Sequence, residues 1–252
     1  MRRSLVAANW RMHGSREFIE DLLGALTRHL DLLSETLEIV VCPPSPYLGL
    51  CQELLRSSPI LLGAQNAHEA DSGAFTGEVA AQMLNDFDVA MVIIGHSERR
   101  QLFAETDTQI AAKCQAVIAQ GMTPILCVGE TLQEREAGLA EQVVARQLDA
   151  VLDSCPIASM ADAVIAYEPV WAIGTGETAS PAQAQAMHAY IRSLLSKRDA
   201  EIAAQMRILY GGSVNASNAA QLFAEQDIDG GLVGGASLKP EEFITICKSV
   251  SK

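Results

Sequence analysis

Ala163-Val164-Ile165-Ala166-Tyr167-Glu168-Pro169 is a short apolar, partly β-branched run that stops at an acid and a proline. Its apolar residues are consecutive rather than alternating, which marks a parallel strand buried on both faces. The next residues, Val170-Trp171-Ala172-Ile173-Gly174-Thr175-Gly176, are too greasy for an ordinary loop and carry glycines where a lid would hinge. Seven similar runs flank this one, near Leu5–Ala8, Glu38–Cys42, Ile60–Gln65, Val89–Ile94, Thr123–Val128, Arg207–Tyr210 and Gly231–Val233. Across 252 residues a run recurs about every 31, close to the ~30 that a strand-plus-helix unit requires.

The intervening segments read as helices. Thr106-x-x-Gln109 has the form of a capping box, and Ile110, Cys114, Val117 and Ile118 follow at helical spacing until Gly121. Ser180-Pro181 supplies an N-cap and a first-turn proline, followed by Met187, Tyr190, Ile191, Leu194 and Leu195 on one face. Alternating strands and helices imply a parallel sheet, and eight units suit a closed barrel better than an open doubly wound sheet. No linker or compositional break divides the chain, so residues 1–252 read as one domain.

Composition narrows the function. The chain is 49% hydrophobic, enough for a large core, and has no membrane-spanning apolar stretch. Its net charge of −13 argues against nucleic acid and anionic membranes as partners, and requires any phosphate site to be built locally. The six cysteines form no C-x-x-C pair and several lie in apolar runs, the pattern of reduced, buried thiols in a cytoplasmic protein. The N-terminal apolar run, Leu5–Ala8, is too short for a secretion signal.

In a parallel barrel the chemistry sits where the strands end. Asn9-Trp10-Arg11-Met12 follows the first run, Gly95-His96-Ser97-Glu98 the fourth and Gly129-Glu130 the fifth. Glu168 with its lid follows the sixth, Gly211-Gly212-Ser213 the seventh and Gly234-Gly235 the eighth. A carboxylate shielded by a closing apolar lid suits a general base that removes a proton from carbon beside a carbonyl. His96, as a neutral imidazole, could polarise that carbonyl. The glycine pairs and Gly174 allow backbone N–H groups to approach an anion, and Arg11 adds a local cation.

These motifs resemble the triosephosphate isomerase family. Ala166–Gly176 is the most specific match, and Ile94-Gly95-His96-Ser97-Glu98-Arg99-Arg100 is nearly as diagnostic. Tyr210–Val214 and Leu232–Ala236 complete a resemblance that runs in order along essentially the whole chain. It implies an α/β fold, a single-domain (β/α)8 TIM barrel with eight parallel strands. It implies interconversion of dihydroxyacetone phosphate and D-glyceraldehyde 3-phosphate, in glycolysis and gluconeogenesis, with no cofactor and no metal. Glu168 would be the base, working through an enediolate, with His96 the neutral electrophile and Asn9 helping to polarise the substrate oxygens. Arg11, Gly174, Ser213, Gly234 and Gly235 would hold the phosphate, and Val170–Gly176 would close over it. This family is itself a standard example of such a base, neutral histidine and closing loop, so these roles rest on the resemblance alone.

The resemblance also implies a homodimer. The stretch from Gln65 to Glu78 matches the family's third loop, which inserts into a neighbouring subunit, with Thr76 near the partner's active site. Its Ala74-Phe75 tip is apolar enough for such a contact. Glu98 and Glu130 read as supports for the cation and the lid. Two departures stand out. Arg11 replaces a lysine, and its broad planar fork could shift the phosphate or displace Asn9, giving an active enzyme of reduced rate. Glu177 replaces a lysine just after the lid, which bears on hinge kinetics. A paralogous sugar-phosphate isomerase would share the base, histidine and phosphate grip. A non-catalytic barrel is supported by Arg11 but does not need the base. A dehydrogenase would need a G-x-G-x-x-G turn after the first strand, which is absent.

Overall fold

A computed structural model describes residues 2–30, 33–34, 36–174 and 177–250. The strands are β1 (Ser4–Asn9), β2 (Leu37–Cys42), β3 (Leu61–Ala64), β4 (Met91–Ile94), β5 (Thr123–Val128), β6 (Val164–Tyr167), β7 (Arg207–Tyr210) and β8 (Gly230–Val233). They form a closed barrel in sequence order. Closure comes from parallel pairing of β1 with β8, in which Leu5 lies opposite Gly230 and Ala8 opposite Val233.

The unbroken apolar runs have a simple cause. Leu5, Ala7, Val40, Cys42, Ile93, Ile125, Cys127, Val164, Ala166, Leu209 and Leu232 fill the barrel's interior. Their strand neighbours Val6, Ala8, Val41, Ile94, Leu126, Ile165, Tyr167 and Ile208 face outward and pack under the helices. Side chains alternate sides along a strand, and here both sides are dry.

Both anticipated helix starts form. Thr106 and Gln109 make a reciprocal capping box at the head of Asp107–Ala119, and Gly121 ends that segment at φ 74°. Ser180 and Gln183 do the same for Pro181–Arg198, with proline in the first turn. On that helix Met187, Ile191 and Leu195 are buried, whereas Tyr190 and Leu194 are half-buried. Three strands are shorter than the sequence suggests, β6 by its first residue, Ala163. β4 begins only at Met91, because Asp88 adopts a left-handed turn at φ 56° and Val89 still donates its N–H back to Leu84. β3 stops at Ala64, because the Gln65 side chain turns to bind neighbouring carbonyls.

All six cysteines are buried as free thiols. Burial pushes Cys51 and Cys247 up to about 12, so they remain protonated and unreactive near neutrality. No helix among the described residues is long and apolar enough to cross a membrane.

The barrel end away from the strand termini is tied by Arg192. Its Nε donates to Asp227 Oδ1 at 2.6 Å and its Nη2 to Asp229 Oδ2 at 3.0 Å, while Nη1 caps the carbonyls of Ala203 and Met206. Burial works to raise the Asp227 carboxyl, but hydrogen bonds from Gln185 and Arg192 outweigh it and hold the group below its ordinary value. A depressed carboxylate stabilises the fold above its unfolded value, and that share is lost as pH falls through the folded one. Arg192→Met is expected to cost about 3 kcal/mol at neutral pH, because it takes the cation from Asp227, whereas Asp229 keeps its pair with Arg2 at 2.7 Å. The deficit should shrink below about pH 4, as Asp227 protonates. Urea unfolding at both pH values checks this.

Candidate functional site

The strand ends gather the expected groups around a cavity of about 560 Å³, lined by Asn9, Arg11, His96, Gly174, Ser213, Gly234 and Gly235. Asn9 closes β1 and is 5% exposed. Its Oδ1 accepts the Arg11 N–H at 3.1 Å. That contact helps hold Arg11 at φ 51°, a left-handed conformation that costs a non-glycine residue about 1 kcal/mol or more. From the other side Gln65 Nε2 donates to the Arg11 carbonyl and to the Cys42 carbonyl, each at 2.9 Å. Three strand ends thus fix one residue's backbone.

The guanidinium is equally well seated. Arg11 Nε donates to Glu98 Oε1 at 2.5 Å. A Cβ on Gly234 would lie 1.8 Å from Arg11 Nη1, so the larger head group occupies space that only glycine leaves open. Asn9 remains on the cavity wall and is not displaced by the arginine.

His96 caps the helix Ser97–Leu102. Its Nδ1 accepts the Glu98 N–H at 3.2 Å, so that nitrogen carries no proton and Nε2 carries the hydrogen. The imidazole is thereby a neutral donor, with Nε2 3.0 Å from Glu168 Oε1. Glu168 extends β6 and is 2% exposed. Its carboxylate accepts the Ser97 N–H at 2.8 Å and the Ser97 hydroxyl at 3.2 Å. These bonds hold it against the start of the helix that follows β4, and it does not line the cavity wall.

The loop after β6 is fastened to the end of β5, the strand before it. Glu130, fully buried after β5, accepts at Oε1 from Trp171 Nε1 at 2.9 Å, from the Tyr167 hydroxyl at 3.1 Å and from Arg135 at 3.1 Å. Arg135 also stacks 4.7 Å over the Trp171 ring. Burial first, and then the Glu130 carboxylate, push the Tyr167 phenol well up, keeping it a donor. Ser213 stands on the cavity wall. Its N–H and hydroxyl both donate to the lid carbonyl of Ala172, at 3.2 and 2.7 Å, so the N–H is occupied. Gly174 lies on the cavity wall at φ 69°, Glu177 is exposed, and Thr175 and Gly176 lie outside the described residues.

The structure therefore places Asn9, Arg11, His96, Gly174, Ser213, Gly234 and Gly235 on one cavity, with Glu168 against His96 at its edge. Sequence reasoning assigned no role to Ser97 or Gln65, although both sit in the quoted motifs. Ser97 carried one usable signal: the first residue of a helix has an N–H with no partner inside the helix.

Comparison with known proteins agrees with this arrangement. Residues 4–250 match the family described as Triosephosphate isomerase. The chain is 58% identical over 252 residues to the triosephosphate isomerase of Thiobacillus denitrificans, covering all of both chains. It is 54% identical over 251 residues to that of Dechloromonas aromatica, again covering all of both. It is 52% identical over 248 residues to that of Alcanivorax borkumensis, covering 98% of each.

Proposed function

This chain belongs to the triosephosphate isomerase family, and from that premise we propose how its own residues interconvert dihydroxyacetone phosphate and D-glyceraldehyde 3-phosphate. The observation that carries the mechanism is the pairing of a nearly inaccessible Glu168 with a neutral His96 Nε2–H at 3.0 Å, beside a glycine-lined cavity whose wall includes the Arg11 cation. Glu168 leaves Ser97, swings to the substrate and takes a proton from the carbon beside the carbonyl. His96 Nε2–H and Asn9 donate to the carbonyl oxygen as negative charge develops on it. His96 passes a proton between the two oxygens of the enediolate, and Glu168 returns its proton to the adjacent carbon. Backbone N–H groups of Gly174, Ser213, Gly234 and Gly235 hold the phosphate, with Ser213 exchanging the Ala172 carbonyl for a phosphate oxygen as the lid closes.

Arg11 supplies the positive charge for that phosphate. The seat against Gly234 and Glu98 accounts for its tolerated bulk, while the planar fork fits the site less well than a compact ammonium. Arg11→Lys is expected to raise kcat, by up to about tenfold, in a coupled isomerase assay with either triose phosphate. A large loss on introducing lysine would show a pocket adapted to arginine.

We also place the protein in the cytoplasm, where six unpaired thiols remain reduced, and read it as a homodimer. Phe75 is 48% exposed at the tip of the 65–78 loop, where its ring stacks 4.2 Å from His68. A second cavity of about 500 Å³ opens from Asn9 and His96 onto the exposed Met12, Leu102 and Phe103. Its size and apolar wall suit such a loop from a second copy, which would bring an exposed Thr76 close to the cavity. Phe75→Asp is expected to weaken the dimer about 30-fold or more, seen by sedimentation velocity across a dilution series. A wild-type chain that sediments as a monomer throughout would overturn this assembly.

A further inference from the structure

The cavity contains two cations and two carboxylates beside the base. At one end Arg11 is held by Glu98 at 2.5 Å, and at the other Lys239 is held by Glu242 at 3.2 Å. Their formal charges cancel, although the ligand is a dianion and the whole chain carries −13. The two pairs differ in mobility. The Arg11 side chain is 27% exposed and packed on Gly234, whereas that of Lys239 is 74% exposed on a flexible four-carbon stem. Lys239 follows the turn Gly235–Leu238, whose first residues line the same cavity as Ser213 and Gly234. Of the two cations, it is the one free to change partner.

We propose that Lys239 is a second cation for the substrate phosphate, and that Glu242 competes with the phosphate for it. This rests on the cavity being the triose phosphate site. Phosphate entering between the glycine turns draws Lys239 off Glu242, so affinity depends on the difference between two ion pairs rather than on one. Such a device lets an acidic protein attract a dianion while keeping the rim neutral toward singly charged anions. A purely local reading makes the pair an i,i+3 support for the helix Pro240–Lys248, whose first turn holds Glu241 and Glu242. In that reading neither side chain affects anion binding.

Calorimetric titration with inorganic phosphate separates the readings, because it requires no turnover. Lys239→Gln is expected to weaken phosphate binding about 3- to 10-fold and to flatten its salt dependence. Glu242→Gln is expected to tighten binding about 2- to 5-fold. The KM for glyceraldehyde 3-phosphate should move in the same two directions. Unchanged phosphate affinity in Lys239→Gln, or shifts of the same sign in both variants, would overturn the proposal. If opposite shifts in phosphate binding appear in a protein that does not isomerise triose phosphates, the second cation stands and the catalytic reading fails.

Discussion

Glu168→Gln is expected to lower kcat by about 10³-fold, within the range that a positioned general base contributes. The substitution is nearly isosteric and the amide oxygen can still accept the Ser97 N–H, a bond of 2.8 Å in the native protein. Folding should therefore survive, and the thermal midpoint should stay within a few degrees of wild type. Phosphate binding should also persist, because Glu168 does not line the wall where Gly234 and Gly235 stand. A coupled assay and a phosphate titration on the same preparation check both halves. Turnover at the wild-type rate would remove Glu168 from the chemistry.

The second large effect lies one strand away. A methyl group on Gly129 would sit 1.8 Å from the Glu168 carbonyl oxygen and 2.7 Å from its carbonyl carbon. Those are backbone atoms, so no change of rotamer relieves the overlap. Gly129 cannot retreat either, because Gln147 binds both its N–H at 2.8 Å and its carbonyl at 3.0 Å. Gly129→Ala must force the ends of β5 and β6 apart, and is expected to cost about 4 kcal/mol of stability. In the protein that still folds, the base is displaced, and a shift of about 1 Å should cost ~100-fold in kcat. Urea unfolding and kcat per folded molecule test the two parts. Gly24→Ala is the contrast. It lies in the helix Arg16–Arg28, and the nearest atom to its added methyl is the mobile end of Arg28 at 3.4 Å. That variant should gain about 0.5 kcal/mol. Equal losses in the two variants would point to a general intolerance of added bulk.

The contrast also marks what the sequence reveals. The strands were legible because their inward and outward sets, such as Ala7 and Ala8 or Ile93 and Ile94, are both apolar. Glu168 and His96 stood out because each places a titratable group where such a run ends. Their relation did not stand out. That Ser97 would hold the Glu168 carboxylate, or that Gln65 would bridge Arg11 and Cys42, depends on stagger between strands far apart in sequence. The constraint on Gly129 was hidden for the same reason: the atom that excludes a side chain belongs to the next strand. The bond from the Ser213 N–H to the Ala172 carbonyl depends on how the loop after β6 lies against β7, which residue types alone do not encode.

The fastening of Trp171 to Glu130 has a consequence for how such a barrel can change over time. Trp171 belongs to one strand-helix unit, but the carboxylate that holds it belongs to the unit before it. A recombinant that swaps the sixth unit alone would import the tryptophan without its carboxylate partner. Exchanges that keep this contact must carry both units together, so the eightfold repeat is less modular than its outline suggests.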